Sequence, residues 1–202
     1  DIPSAPVISD LPNGQKVLMS VTKQSWIYTF DRATGEPIWP IEERPVPAGD
    51  VPGEWYSPTQ PFPTNPPPFD RQGFTEKDLI DWTPEIRALA LDATEGFRLA
   101  PSVYSPPSLA DAEDGTRGTL SLPSATGGAN WEGAAIDPET GMIYVPSRTA
   151  LAVMSLGKDK DSDLDLSAAF GVRVPRVQGL EIVKPPYGRI TAIDMNTGEH
   201  HW

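Results

Sequence analysis

The chain contains no cysteine. Disulfides and thiolate metal sites are therefore excluded within it, while the cellular compartment stays open. There is no long apolar run of the kind that a membrane-spanning helix needs. Positive charge is scarce: 16 Lys and Arg stand against 28 Asp and Glu, a net charge of −12. Such a surface repels a phosphate backbone, so nucleic acid is not an expected partner. Histidine is confined to the adjacent pair His200 and His201. Neighbours in a strand point to opposite faces, so the pair is read as surface or packing residues and not as a shared metal site.

What is present is a repeated phrase. Thr29-Phe-Asp-Arg-Ala-Thr-Gly-Glu-Pro-Ile-Trp39 recurs as Ala192-Ile-Asp-Met-Asn-Thr-Gly-Glu-His-His-Trp202. The shared positions are Asp31/Asp194, Thr34/Thr197, Gly35/Gly198, Glu36/Glu199 and Trp39/Trp202. A third copy starts at Ala135-Ile-Asp-Pro-Glu-Thr-Gly141 and then diverges. Repetition at long separation marks one supersecondary unit used several times. The composition describes a β-hairpin. An apolar run enters, Asp and Thr bracket a tight turn, and glycine supplies positive φ. The chain then returns to a large indole. One hairpin cannot bury both faces, whereas several arranged radially can stack sheet on sheet as in a β-propeller. An ordinary β-sandwich with similar turns is the competing architecture. By the same reading, Asp31, Asp137 and Asp194 are structural turn residues.

The organisation follows from this. The expected fold class is all-β, a partial β-propeller of roughly two to three four-stranded blades. Residues 1–39 are a blade portion, 40–118 a Pro-rich loop with short helices, and 119–202 further blade strands. The abrupt start at Asp1 and the stop on Trp202 are read as marks of a fragment. Between Pro40 and Pro68 proline is frequent, interleaved with Trp55, Tyr56 and Phe62. Proline does not suit central strands, and disordered tracts are poor in aromatics. The expectation for 40–73 is a long ordered loop laid over one end of the propeller. Thr75 can cap a helix over Glu76–Trp82. Thr83-Pro84-Glu85 can start another, with Ile86, Leu89 and Ala90 on its apolar face. The alternating Asp residues of 157–165 partly match a calcium loop but lack its Gly and terminal Glu, so that stretch is read as a solvated loop.

Four stretches then carry a family likeness: Thr22–Pro40, Ser57–Pro63, Gly127-Gly-Ala-Asn-Trp-Glu-Gly133 and Pro185-Pro-Tyr-Gly-Arg-Ile-Thr-Ala-Ile-Asp194. In this order they resemble the pyrroloquinoline quinone (PQQ)-dependent dehydrogenases of the glucose and polyol type, over nearly the whole chain and as a C-terminal-half fragment. The resemblance implies an eight-bladed propeller with PQQ in the funnel on its axis and a calcium ion beside the quinone. It implies oxidation of a sugar, polyol or alcohol hydroxyl to a carbonyl, with hydride transfer to PQQ. It also implies a periplasmic location and a membrane quinone or cytochrome as electron acceptor. The remaining blades of the same propeller would be partners. The rival reading is a non-catalytic β-propeller scaffold or interaction protein, such as an outer-membrane assembly platform.

The resemblance also assigns residues. Lys23 matches the cation that contacts the quinone oxygens, where a prepositioned ammonium would stabilise charge built up on reduction. Asn130 and Trp131 match the Gly-Gly-x-Asn-Trp turn on the funnel wall, and an amide suits a ring bearing carbonyls and carboxylates. Gly127 and Gly128 would permit close backbone approach. From the residues alone, the favoured reading of Lys23 is a solvated turn lysine, and Asn130 could bond its own backbone. The family's catalytic aspartate falls two positions before Asp1, so no catalytic residue is assigned in this chain, nor any metal ligand. On that register Asp1 is the second, non-catalytic acid. Trp55, Thr59 and Gln60 are candidates for a substrate lid.

Overall fold

The computed structural model describes residues 1–169 and 171–202. β1 (Val7–Asp10), β2 (Lys16–Val21) and β3 (Ile27–Asp31) form an antiparallel sheet in that order. Beyond the turn, Pro37 bridges back to Phe30 as a rudimentary fourth strand. β4 (Ile41–Pro45) and β5 (Thr59–Pro63) pair separately as a two-stranded ribbon. A 3-10 turn (Glu76–Asp78), helix α1 (Pro84–Ala93) and the short strands β6 (Arg98–Leu99), β7 (Ser108–Leu109) and β8 (Thr119–Ser121) follow. β9 (Ala135–Asp137) and β10 (Met142–Arg148) begin a second blade. β11 (Ala152–Gly157), β12 (Ser167–Ala168), β13 (Arg176–Val177) and β14 (Leu180–Glu181) leave it. β15 (Gly188–Asp194) and β16 (Glu199–His200) complete it, giving the order β16-β15-β10-β9.

The three copies of the phrase fold into one turn. The amides of Gly35, Gly141 and Gly198 donate to the carbonyls of Asp31, Asp137 and Asp194 at 2.8, 2.8 and 2.6 Å. Each aspartate side chain accepts from the amide two residues on, at 2.8 Å (Ala33), 3.0 Å (Glu139) and 2.8 Å (Asn196). The glycines sit at φ 80°, 79° and 80°, a left-handed conformation that side-chain-bearing residues rarely adopt. The Thr34 and Ala33 amides hold the Asp31 carboxyl below its ordinary range. The Thr140 hydroxyl and the Glu139 amide do the same for Asp137.

Register makes the two blades equivalent. Val17 pairs with Asp31 as Met142 pairs with Asp194. Ser9 pairs with Val17 as Asp137 pairs with Met142. Met19, Val21 and Ile27 of the first blade therefore correspond to Tyr144, Pro146 and Ile190 of the second. Ile8, Leu18 and Phe30 correspond to Ile136, Ile143 and Ile193. The blades stack head to tail. Val17, Met19, Val21 and Ile27, with Trp39 beside them, pack on Ile136, Ile143, Val145 and Ile193 in a shared core. The inner strands β1 and β9 touch along this contact.

The remaining strands are not blade strands. Residues 149–187 form a detour between β10 and β15, and β11 pairs with β8, β7 and β12. A second core joins Phe74, Leu79 and Ile80 to Leu120, Leu122, Ile182 and Val183 beneath α1. Among the described residues of 119–202, only β9, β10, β15 and β16 build the blade. α1 starts as its sequence implies, with the Thr83 hydroxyl accepting from the Ile86 amide at 3.2 Å. At the first helical turn, the Asp78 carboxylate accepts from the Thr75 amide and hydroxyl.

The Pro-rich segment differs from the expected loop by containing the β4–β5 ribbon. Proline is tolerated there because both strands of a two-stranded ribbon are edges. Its base is pinned by the hydroxyls of Tyr28 and Tyr104, which donate to the Pro61 carbonyl at 2.9 and 3.3 Å. The Phe62 ring packs edge to face on Trp26 and Tyr104, which are tilted against each other. Burial raises both phenol pKa values, which keeps these groups protonated as donors.

Two outcomes follow from the turns. Gly35→Ala has open space for its methyl, so its cost is the positive φ alone, about 1 kcal/mol. Gly198→Ala adds a clash with the Asn65 side chain, which bonds the Thr197 carbonyl, and should cost more. Urea midpoints rank the two. A carboxyl depressed in the folded state stabilises above its unfolded pKa of about 4 and loses that contribution as pH falls through the folded value. Stability should therefore drop below about pH 4, and Asp31→Asn should show a smaller drop between pH 5 and pH 3 than the parent chain.

Candidate functional site

The connection between β2 and β3 is a tight turn whose ends are tied by Thr22. Its hydroxyl donates to the Trp26 carbonyl at 3.0 Å and accepts the Trp26 amide at 3.2 Å. Ser25, fully buried, takes φ 72° to close the turn. The Gly-rich turn lies directly on this connection. The Gly128 amide donates to the Lys23 carbonyl at 2.9 Å. A methyl at Gly127 would sit 2.7 Å from the Lys23 Cα, and one at Gly128 would collide with the Ser25 hydroxyl. Both positions need glycine for lack of room. On its other side, the turn receives the Arg148 amide on the Gly128 carbonyl at 2.7 Å, which fixes it to the end of β10.

This arrangement brings the sequence-derived candidates to one end of the blade pair. A concavity of about 430 Å³ is lined by residues 126–132 and 146–148, Asn130 and Trp131 included. The Trp131 indole is 86% exposed. The Asn130 side-chain amide donates to the Thr126 carbonyl at 2.7 Å. Its Oδ1 is buried and has no partner. Asn130 thus bonds its own turn with one end of the amide and presents an unused acceptor with the other. Lys23 lies beneath the Gly-rich turn and does not line the concavity. Its ammonium pairs with the Asp1 carboxylate at 2.8 Å.

A second layer, not signalled by the sequence, holds this end together. The Asp70 side chain is only 1% exposed. It accepts from the Thr149 hydroxyl and the Arg71 amide, both at 2.7 Å, and has the Arg189 guanidinium at 3.4 Å. The flanking backbone ties back to the Lys23 turn: the Phe69 amide donates to the Ser25 carbonyl, and the Gln72 side chain to the Gln24 carbonyl. Asp70 and Thr149 are 79 residues apart in the chain, so no local pattern could have paired them. Arg148, on the wall of the concavity, was likewise missed.

Buried polar atoms are normally paired. Among the described residues the unpaired ones belong to Ser4, Ser25, Asp70, Arg71, Asn130, Ser147 and Arg189, and to Thr29 and Tyr56 elsewhere. Asn130 and Ser147 line the concavity at the Gly-rich turn, whereas Asp70, Arg71 and Arg189 line a neighbouring one with His200 and Trp202. Ser4 lies under Gly133, Ser25 under Gly128, and Arg189 pairs across the strands with Ser147. Unused hydrogen-bonding capacity therefore lies both at the Gly-rich turn and in the neighbouring concavity. Among the described residues, no group of three or more His, Asp or Glu side chains converges as a metal site. Trp55 stands 81% exposed in the loop joining β4 and β5, and Thr59 and Gln60 belong to β5. His200 approaches the Pro67 carbonyl at 3.2 Å.

Comparison with known proteins adds to this geometry. The quinate/shikimate dehydrogenase (quinone) of Acinetobacter baylyi is 28% identical, over 100% of this chain and 27% of the relative. The glycerol dehydrogenase large subunit of Gluconobacter oxydans is 29% identical, over 98% of this chain and 30% of the relative. A quinoprotein glucose dehydrogenase of Gluconobacter oxydans is 32% identical, over 100% of this chain and 28% of the relative. The chain thus spans 27% to 30% of the length of these relatives. The beta-propeller domain described as glucose/ethanol/alcohol dehydrogenase (PQQ) matches residues 1–202, both blades and the intervening segment included. With the stacked blades, their shared turn and the Gly-rich turn all inside that match, the chain belongs to the PQQ-dependent dehydrogenase β-propeller family.

Proposed function

We propose that this chain supplies one wall of the PQQ funnel in a quinoprotein dehydrogenase that oxidises a sugar, polyol or alcohol hydroxyl. The observation that carries the reading is the seating of the Gly-rich turn on the Lys23 turn, which leaves the Asn130 Oδ1 buried and unpaired beside an open concavity. The relatives named for quinate, glycerol and glucose favour hydroxyl oxidation as the reaction class.

The residues present fit a flat, acidic heterocycle. Trp131 offers an open indole face for stacking, Asn130 an acceptor whose orientation is fixed by Thr126, and Lys23 a cation at the adjoining turn. When bound, PQQ would supply the two-electron acceptor for the substrate's hydride. The part of this chain is positioning and electrostatics. Gly127 and Gly128 let the backbone lie close to the Lys23 turn, and the ammonium, held by Asp1 at rest, would balance negative charge on the bound group. The substrate's hydroxyl proton is assigned to no residue of this chain. The resemblance places its acceptor two positions before Asp1 and the calcium ligands outside this chain. We further propose a periplasmic location with a membrane quinone or a cytochrome as electron acceptor, on the same resemblance.

The tests use the protein that carries this chain, reconstituted with PQQ and calcium and assayed by dye reduction with an aldose or polyol. Lys23→Ala should lower kcat by about 100-fold, the scale of losing one charge-stabilising donor, and Lys23→Arg should retain most activity. Dye reduction at the parental rate without PQQ would overturn the reading. Asn130→Ala should weaken PQQ binding about tenfold, near 1.4 kcal/mol, as read by quenching of tryptophan fluorescence.

A further inference from the structure

We infer that Asp70 is a positioning residue: through Thr149 it fixes the spacing between the Lys23 turn and the Gly-rich turn that carries Asn130. The inference rests on the reading that these two turns face PQQ. It deepens that reading by adding a residue that acts on the cofactor only through others.

The argument starts from the strap of residues 69–73, which is bonded to both turns. The Phe69 amide donates to the Ser25 carbonyl at 2.9 Å, and the Gln72 side chain to the Gln24 carbonyl at 2.6 Å. The Gly73 amide donates at 2.8 Å to the carbonyl of Leu122, just ahead of the Gly-rich turn. The strap is itself anchored to the second blade and its detour. The Thr191 hydroxyl donates to the Phe69 carbonyl at 2.9 Å, and the Arg71 guanidinium to the Lys184 carbonyl at 2.5 Å.

The Asp70 carboxylate closes a ring of such contacts. It accepts from the Thr149 hydroxyl at 2.7 Å. One residue back, the Arg148 amide donates to the Gly128 carbonyl at 2.7 Å, and the Gly128 amide to the Lys23 carbonyl at 2.9 Å. From the Lys23 turn, the Ser25–Phe69 bond leads back to Asp70. Around this ring the Asp70–Thr149 bond is the one made between two side chains. It is therefore the link that a substitution removes without touching a backbone group. Thr149 is 3% exposed and the Asp70 side chain 1%, a burial produced by this chain alone. Bonds to an ionised acceptor are short and strong, and holding a charge inside is costly. A neutral residue would serve stability as well, so the charge is assigned to geometry.

The experiment compares two substitutions in the protein that carries this chain. Thr149→Val keeps the branched shape and loses the hydroxyl, whereas Thr149→Ser keeps the hydroxyl and loses a methyl. Without PQQ, amide hydrogen exchange is read at Gly128 and Arg148, with Gly198 as a remote control. Thr149→Val should speed exchange at the first two about tenfold, the scale of one hydrogen bond to a charged group, and leave Gly198 unchanged. It should also weaken PQQ binding about tenfold, read by quenching of tryptophan fluorescence. Thr149→Ser should stay near the parent in both; a packing role alone predicts the opposite ranking. Asp70→Ala and the double variant Asp70→Ala, Thr149→Val should exchange alike at Gly128, because the second change has no bond left to remove. Thr149→Ala takes the place of Thr149→Val if the valine variant lacks parental circular dichroism. Parental exchange at Gly128 and Arg148 in the folded variant would overturn the inference. So would a serine variant worse than the valine one, additive effects in the double variant, or parental PQQ affinity in Thr149→Val where Asn130→Ala weakens it. Failure of the underlying reading has a different signature. Lys23→Ala and Asn130→Ala would then match the parent with PQQ, and the exchange measurements would still decide the spacing role.

Discussion

Everything in this chain depends on the contact between unlike faces of two equivalent sheets. The Val17, Met19, Val21 row of one blade lies on the Ile143, Val145, Ile193 row of the other. Both rows follow from period-two alternation, which places every second residue on the same face. A slip of one residue would turn either row to solvent, so the hydrophobic pattern also fixes the register. Once the two sheets are locked, the β2–β3 turn of the first must stand beside the strand end of the second. The Lys23 turn and the Gly-rich turn meet there for that reason, although more than a hundred residues separate them. The site is a product of blade stacking and has no independent fold.

What could be read from the sequence was local or repeated. The Asp-x-x-Thr-Gly phrase dictates its own turn through side-chain acceptors and one left-handed glycine, and all three copies obey it. Thr83-Pro84 carries its own helix start for the same reason. The ribbon was hidden because its prolines, at 45, 61 and 63, argue against strands in general and exclude only central ones. The strand at Thr119–Ser121 was recognisable as a strand, yet nothing local tells whether it joins a blade or the satellite sheet with β11. The same limit applies to the site. Gly127, Gly128 and Asn130 sit in one short motif, whereas Asp70, Thr149 and Arg189 are assembled only by the tertiary fold.

The two layers of this site differ in physical character. The upper one is held by backbone hydrogen bonds and by the absence of side chains at Gly127 and Gly128. The lower one is a buried carboxylate shared among a hydroxyl, an amide and a loosely placed guanidinium. A buried charge lacking one partner is costly, and its usefulness lies in fixing one geometry more than in adding stability. Asp70 ties the strap at 69–72, the detour at Thr149 and strand β15 at Arg189 to a single point.

The detour of residues 149–187 makes the two blades unequal in the sequence distance between their paired strands. The strands of the first blade are joined by short turns and can zip from neighbour to neighbour. In the second blade, β10 finds β15 only after the ends of a long intervening segment have been brought together. Closing such a loop costs entropy before any ladder bond is gained, and non-local pairings of this kind slow folding. Collapse of the satellite core around Ile182 and Val183 shortens that effective loop. A formed satellite would act as a splint, lowering the cost of closing the second blade and with it the wall that carries Asn130.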